Sequence, residues 1–250
     1  MRDIILQNTN LFIRLILSLA FFGHGLVSLG YSSSYDLHYN LVQSINFTNI
    51  SSHLIVELQG WLDILISALL IIKIKLRQVL YFSLFYFCLV CIAAMTYYWS
   101  ITDSIFGIAE CLRRFPWIFL SLYLLFEING VNKYHFIRIA LSFAFLAHGF
   151  ASLGFLGLNQ GHIDLAIQIV STENARSFVF YSGITDSIIG CMLLQGVYTR
   201  YVSGLSILWL IFIVSISFLS SIPEGIFRSG FLLLAIYIFL DNRTDKPKLI

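Results

Sequence analysis

Residues 12–30 read FIRLILSLAFFGHGLVSLG, and residues 136–154 read FIRIALSFAFLAHGFASLG. Twelve of the 19 positions are identical with no gap, at an offset of 124. The correspondence continues along the chain. Gly60, Asp63 and Arg77 recur as Gly183, Asp186 and Arg200 at an offset of 123, and Glu110, Arg114 and Tyr123 recur as Glu224, Arg228 and Tyr237 at 114. General hydrophobicity aligns any two apolar runs, but it does not align His, Asp, Glu and Arg in order. The chain therefore reads as a tandem duplication, with the outer loop before the last span shortened in the second copy.

Composition places that duplicated unit in a membrane. Of 250 residues, 58% are hydrophobic and only 11% are charged, with a mean hydropathy of +0.86. A soluble domain carries roughly 25% charged residues, more than twice this share. The deficit excludes a soluble globular enzyme and a disordered chain. Four cysteines without regular spacing do not make a disulfide framework, and a net charge of +2 with no basic run argues against a nucleic-acid partner.

A helix needs about 20 mostly apolar residues to cross the hydrocarbon core. Eight runs meet that need: roughly 11–31, 54–73, 78–99, 110–127, 136–157, 176–196, 201–220 and 224–240. The first is too long for a signal-peptide core and lacks a small-residue cleavage site, so a retained span is expected. The expected fold is an all-α integral membrane protein of eight transmembrane helices. Residues 1–130 and 131–250 would each form a four-helix bundle, fused as a parallel repeat.

Sorting the cations by side orients the chain. Arg2, Arg14, Lys73, Lys75, Arg77, Lys133, Arg138, Arg200, Arg243, Lys246 and Lys248 fall on one side, and only Arg113, Arg114, Arg176 and Arg228 on the other. The positive-inside rule then places both termini in the cytoplasm of an inner membrane. Asp3, Glu127, Asp241 and Asp245 share the cytoplasmic side, and the remaining acids, Asp103 among them, lie outside or in the outer half. Leu37, Leu41 and Ile45, and likewise Leu165 and Ile169, recur at helical spacing in the two long outer loops. Each loop is expected to carry a short amphipathic helix lying on the membrane surface.

The ionisable residues within the spans are the candidate chemistry. His24 and His148 each precede a glycine, which thins the helix face so that a neighbour or a ligand can approach. Asp63 and Asp186 lie roughly ten residues into the second span of each half, where a carboxylate needs a partner. Glu110–Arg114 and Glu224–Arg228 are i, i+4 pairs in the favourable order, and a glutamate in the first helical turn suits the helix dipole. Two readings stay open for these residues: hydrogen-bonded clasps between helices, or the walls of an outward-facing ligand pocket. His38 and His162 also align between the halves, and two histidines with a carboxylate can hold a metal. A b-type haem bridging His24 and His148 is a further option. Cys88-x-x-Cys91 has the spacing of a redox dithiol but sits near the middle of a span, where two structural cysteines are the simpler reading. Cys111 and Cys191 have no partner by sequence.

The repeated unit resembles the DoxX-like family of small four-helix membrane proteins. The resemblance rests on Arg14…His24-Gly25…Leu29, on Arg138…His148-Gly149…Leu153 and on the stretch from Gly196 through Thr199 to Arg200. Ser28 and Ser152 stand where that family has a lysine. The resemblance implies the four-helix unit and, through the family's redox-associated members, a quinone or similar lipid-soluble ligand and other membrane redox subunits as partners. Solute or lipid transport and a non-catalytic assembly role are the alternatives.

Overall fold

The computed structural model describes residues 6–46, 48–102, 106–126, 131–154 and 160–241. Among the sorted charges, Arg2, Asp3, Asp103, Glu127, Arg243, Asp245, Lys246 and Lys248 lie outside the described residues. The helices in chain order are α1 (Thr9–Ser28), α2 (Tyr35–Ile45), α3 (Ser52–Ile72), α4 (Leu76–Thr102), α5 (Phe106–Leu112) and α6 (Phe115–Leu125). Then follow α7 (Val131–Leu153), α8 (Gln160–Ile167), α9 (Thr172–Gln195), α10 (Thr199–Ser220) and α11 (Ile222–Leu240).

Seven of these, α1, α3, α4, α7, α9, α10 and α11, are long and apolar enough to cross a membrane. Their outward faces suit lipid: α3 exposes Leu58, Trp61 and Leu65, α4 exposes Phe85 and Ile92, and α10 exposes Tyr201, Leu205 and Leu208. An apolar surface this extensive is an aggregation liability in water and the required surface in a bilayer. The protein is an all-α, multi-pass membrane protein.

The expected span over 110–127 takes a different form. It is divided into α5 and α6 by a turn at Arg113–Arg114, with Pro116 in the first turn of α6. A proline has no N–H to continue a helix from the preceding turn, but it fits the start of a new one. The second half places its proline, Pro223, at the start of α11, which then runs unbroken. Glu110 accordingly sits in the last turn of α5, whereas Glu224 occupies the first turn of α11 as the dipole argument expects. At 11 residues α6 is about 16 Å long, half the thickness of a hydrocarbon core.

Each half pairs its first and second long helices through glycines. A Cβ built on Gly25 would stand 2.8 Å from the Gly60 carbonyl oxygen, and one on Gly183 would stand 3.1 Å from that of Gly149. The backbones of α1 and α3, and of α7 and α9, therefore touch. The glycine beside each histidine admits a neighbouring helix.

The repeated arginines finish these pairs. Arg14 Nη1 donates to the carbonyls of Leu70 and Ile71 at 3.2 and 3.3 Å, at the C-terminus of α3. Arg138 Nη1 donates to those of Leu193 and, at 2.9 Å, Leu194 at the end of α9. A guanidinium here satisfies carbonyls that the helix cannot pair and meets the negative end of its dipole.

The halves interlock across the middle. α1 packs along α11 of the other half, and α7 packs along α6. α1, α6, α7 and α11 thus make a central bundle, flanked by α3 and α4 on one side and by α9 and α10 on the other. Its middle is a dry core of Ile13, Ile16, Leu17, Leu120, Leu141 and Leu234, all fully buried. The loop helices form as expected but are tucked into the bundle. Leu41 of α2 packs on Ala93 and Ala94 of α4, and Ile163 and Ala166 of α8 pack on Ala175 and Val179 of α9.

Candidate functional site

α1 carries His24 and Ser28 one turn apart, within its last turn and a half. Around them the first half closes a ring of hydrogen bonds. His24 Nδ1 shares a hydrogen with Asp63 Oδ2 at 2.8 Å, and the Tyr86 hydroxyl donates to the same oxygen at 3.2 Å. Gln59 Nε2 donates to Tyr86 at 2.8 Å and to Ser28 Oγ at 3.4 Å. Ser28 Oγ then meets His38 Nδ1 at 2.8 Å, and the His38 ring lies 4.2 Å from that of His24. Asp63 is fully buried, with its second oxygen unpartnered among the described residues.

The second half keeps the frame of this network and loses its closure. Ser152 Oγ meets His162 Nδ1 at 2.8 Å, as in the first half, and the His148 and His162 rings stack at 5.4 Å. Asp186, however, accepts from Trp209 Nε1 at 2.7 Å, and no hydrogen bond joins it to His148 among the described residues. Trp209 stands where the first half has Tyr86, and Ser182, bonded to its own helix at the Phe178 carbonyl, stands where it has Gln59. An indole donates but does not accept, so it cannot pass a proton on as a phenol can.

Both half-sites open onto one cavity of about 340 Å³ between the halves, at the end of the bundle covered by α2 and α8. Four histidines line it, His24, His38, His148 and His162, together with Glu110, Arg113, Arg114, Glu224 and Arg228. Glu110 pairs with both Arg113 and Arg114, while Glu224 lies 3.7 Å from Arg228 and accepts from Ser34 at 2.8 Å. That last bond ties the first half's loop to the second half's final helix. The apolar part of the wall includes Phe21, Phe87, Phe227 and, at corresponding positions of the two halves, Trp117 and Phe231, stacked 4.6 Å apart.

Six of the eight residues singled out from the sequence therefore share this cavity. The two aspartates do not line it. Asp63 lies behind His24, and Asp186 borders an adjoining void of about 80 Å³ that also touches His148 and His162. His38 and His162 come to the cavity because α2 and α8 fold inward instead of lying on the surface. Tyr86 and Gln59 carried no signal in the sequence, and Arg113 stood out there only as one of the outer cations; the substitutions at Trp209 and Ser182 are visible only once the network is known.

Among the described residues, no three His, Cys, Asp or Glu side chains converge as a metal-holding group. His24 and His148 each make their ring contact with the loop histidine of their own half, not with each other.

Burial holds the two loop-helix histidines neutral. His38 lies well below the ordinary imidazole value, from burial first and then from neighbouring His24 and Arg114, opposed by Glu224 and Glu110. His162 is pushed down to about 3 by burial and then by Arg113 and Arg228. The unfolded chain takes up protons at these rings near pH 6.5, and the folded chain does not. Their contribution to stability is thus complete above pH 6.5 and is lost as pH falls below it, by about 1.4 kcal/mol per pH unit for each ring. Thermal unfolding in detergent should show a lower Tm at pH 5 than at pH 7.5. In the His38→Gln, His162→Gln double variant the difference should shrink; an unchanged difference would assign it to other groups.

No protein-family model, no curated protein and no solved structure matches the chain.

Proposed function

We propose that the central cavity binds a lipid-soluble molecule with hydrogen-bonding oxygens, a quinone being the leading class, and that the protein serves as a redox-associated subunit of an inner membrane. In this reading the chain is a duplicated DoxX-like unit, residues 1–130 and 131–250. It crosses the bilayer eight times in two parallel four-helix repeats, with the broken α5–α6 segment as the fourth crossing and both termini in the cytoplasm. The observation that carries the reading is the convergence of four histidines and two Glu–Arg pairs on one aromatic-walled cavity. Apolar walls with a few placed polar groups are what ligand sites offer.

The chemistry available is hydrogen bonding and proton transfer. His24 commits Nδ1 to Asp63, and its other ring nitrogen is the atom available to a ligand oxygen. Arg114 and Arg228 supply donors for a carbonyl oxygen. The dry core below the cavity favours binding over passage, since a transporter needs a polar path to the far end. Resident haem is the weaker option, because His24 already commits one ring nitrogen to Asp63 and both histidines pack on other rings.

Gentle purification followed by solvent extraction and mass spectrometry tests the reading. A stoichiometric quinone is expected in the wild type, and it should fall at least tenfold in the His24→Ala, His148→Ala double variant. A clean extract, or equal quinone in both proteins, would overturn it; a Soret band would replace quinone with haem.

A further inference from the structure

Cys91 lies on α4 and Cys111 on α5, and their side chains meet where these helices pack together. The Cys111 thiol reaches the Cys91 carbonyl at 3.3 Å, and the Cys91 thiol reaches the Cys111 carbonyl at 3.9 Å. Reciprocal contacts of this kind set the two cysteines beside each other across the α4–α5 contact. Cys88, the partner suggested by the Cys-x-x-Cys spacing, is exposed on the outside of α4. The second half has no such pair: Val214 and Gly225 occupy the corresponding positions.

The pair lies directly behind the cavity wall. Val90 and Glu110, the chain neighbours of the two cysteines, both line the cavity. Glu110 also holds the two arginines of that wall. Both thiols are partly exposed.

We propose that Cys91 and Cys111 are a redox-active dithiol, oxidised to a disulfide by the quinone-class ligand of the adjoining cavity. This rests on the ligand reading above. In the step, both S–H bonds break and one S–S bond forms. The two electrons released pass to the quinone, whose two carbonyl oxygens take up the two protons to give the hydroquinone. The disulfide would join α5 to α4 and so fix the wall that presents Glu110, Arg113 and Arg114. A later thiol–disulfide exchange with a soluble dithiol would return the pair to its reduced form.

The test uses the full chain in detergent, reduced and then freed of reductant without oxygen. It is incubated with a short-chain ubiquinone and denatured in SDS with N-ethylmaleimide. Before quinone, all four cysteines should be alkylated. Afterwards two should be protected in a Cys91–Cys111 cross-linked peptide, with one hydroquinone formed per chain. Cys91→Ser and Cys111→Ser should each abolish hydroquinone formation, and Cys88→Ser should preserve it.

Quinone binding is measured separately by equilibrium dialysis of the Cys91→Ser, Cys111→Ser protein. Bound quinone with four alkylated cysteines in the wild type would overturn this inference and leave the ligand reading standing. Absence of bound quinone would overturn both. A Cys88–Cys91 disulfide, or a Cys91–Cys111 link made by diamide but not by quinone, would also overturn the inference.

Discussion

Asp63→Ala should unfold at a much lower temperature than wild type, and Asp186→Ala should not, although the two aspartates occupy corresponding positions. Removing Asp63 takes from the His24 ring and the Tyr86 hydroxyl their shared acceptor and leaves a void at a fully buried position. Each buried polar group left unsatisfied costs about 1–3 kcal/mol, so the loss should reach roughly 2–5 kcal/mol. Asp186 serves a single donor, the Trp209 indole, and lies beside a void that a small side chain or water can use. Its loss should cost about 1–2 kcal/mol. Asp63→Asn separates shape from charge, since the amide keeps the volume and one acceptor oxygen. It should recover most of the stability and still disturb His24. Equal melting temperatures for the two alanine variants would refute the asymmetry between the halves.

Placing valine at Gly25 or Gly149 should be at least as damaging, for a reason that involves no hydrogen bond. A Cβ on Gly25 meets the Gly60 carbonyl at 2.8 Å, and one on Gly149 meets the Ser187 backbone nitrogen at 2.9 Å. Backbone cannot rotate aside as a side chain can, so the helices must separate. Overpacking a close-packed site costs about 1–3 kcal/mol for a modest insertion, and valine adds two further methyls. Separation also moves His24 away from Asp63, because both residues sit beside this contact. The expected result is little folded protein on size-exclusion chromatography, and loss of any cavity ligand from what survives. Gly204→Ala is the control: a Cβ there would lie 3.5 Å from the Phe239 ring, in ordinary contact. Normal folding of Gly25→Val would show that the helices are not held this close.

The two experiments probe different links in the same argument. Glycine contacts bring α1 to α3 and α7 to α9, and both halves share them. The hydrogen-bond ring built on that contact exists in the first half alone, through Tyr86 and Gln59. Among the described residues, the histidine–aspartate link thus belongs to the first half. The second supplies His148, His162 and the Glu224–Arg228 pair as wall.

Much of this was legible before the tertiary structure. The apolar runs, the loop-helix periodicity and the in-order recurrence of His24, Asp63, Glu110 and Arg114 as His148, Asp186, Glu224 and Arg228 are properties of position along the chain. Hydropathy marks a span because a buried backbone must pair within its own helix, and that rule acts locally. Even the break before α6 has a local cause in Pro116. The sequence therefore determined the membrane class, the order of the helices and most of the cavity's charged wall. Only the tertiary structure decided that two half-sites share one cavity, that α1 packs along α11 of the other half, and that α2 and α8 fold inward with His38 and His162. It alone placed Tyr86 on Asp63 and Cys91 on Cys111. Those outcomes depend on which faces of distant helices meet, and helix packing sets that through close approach at a few glycines and the fit of side chains around them.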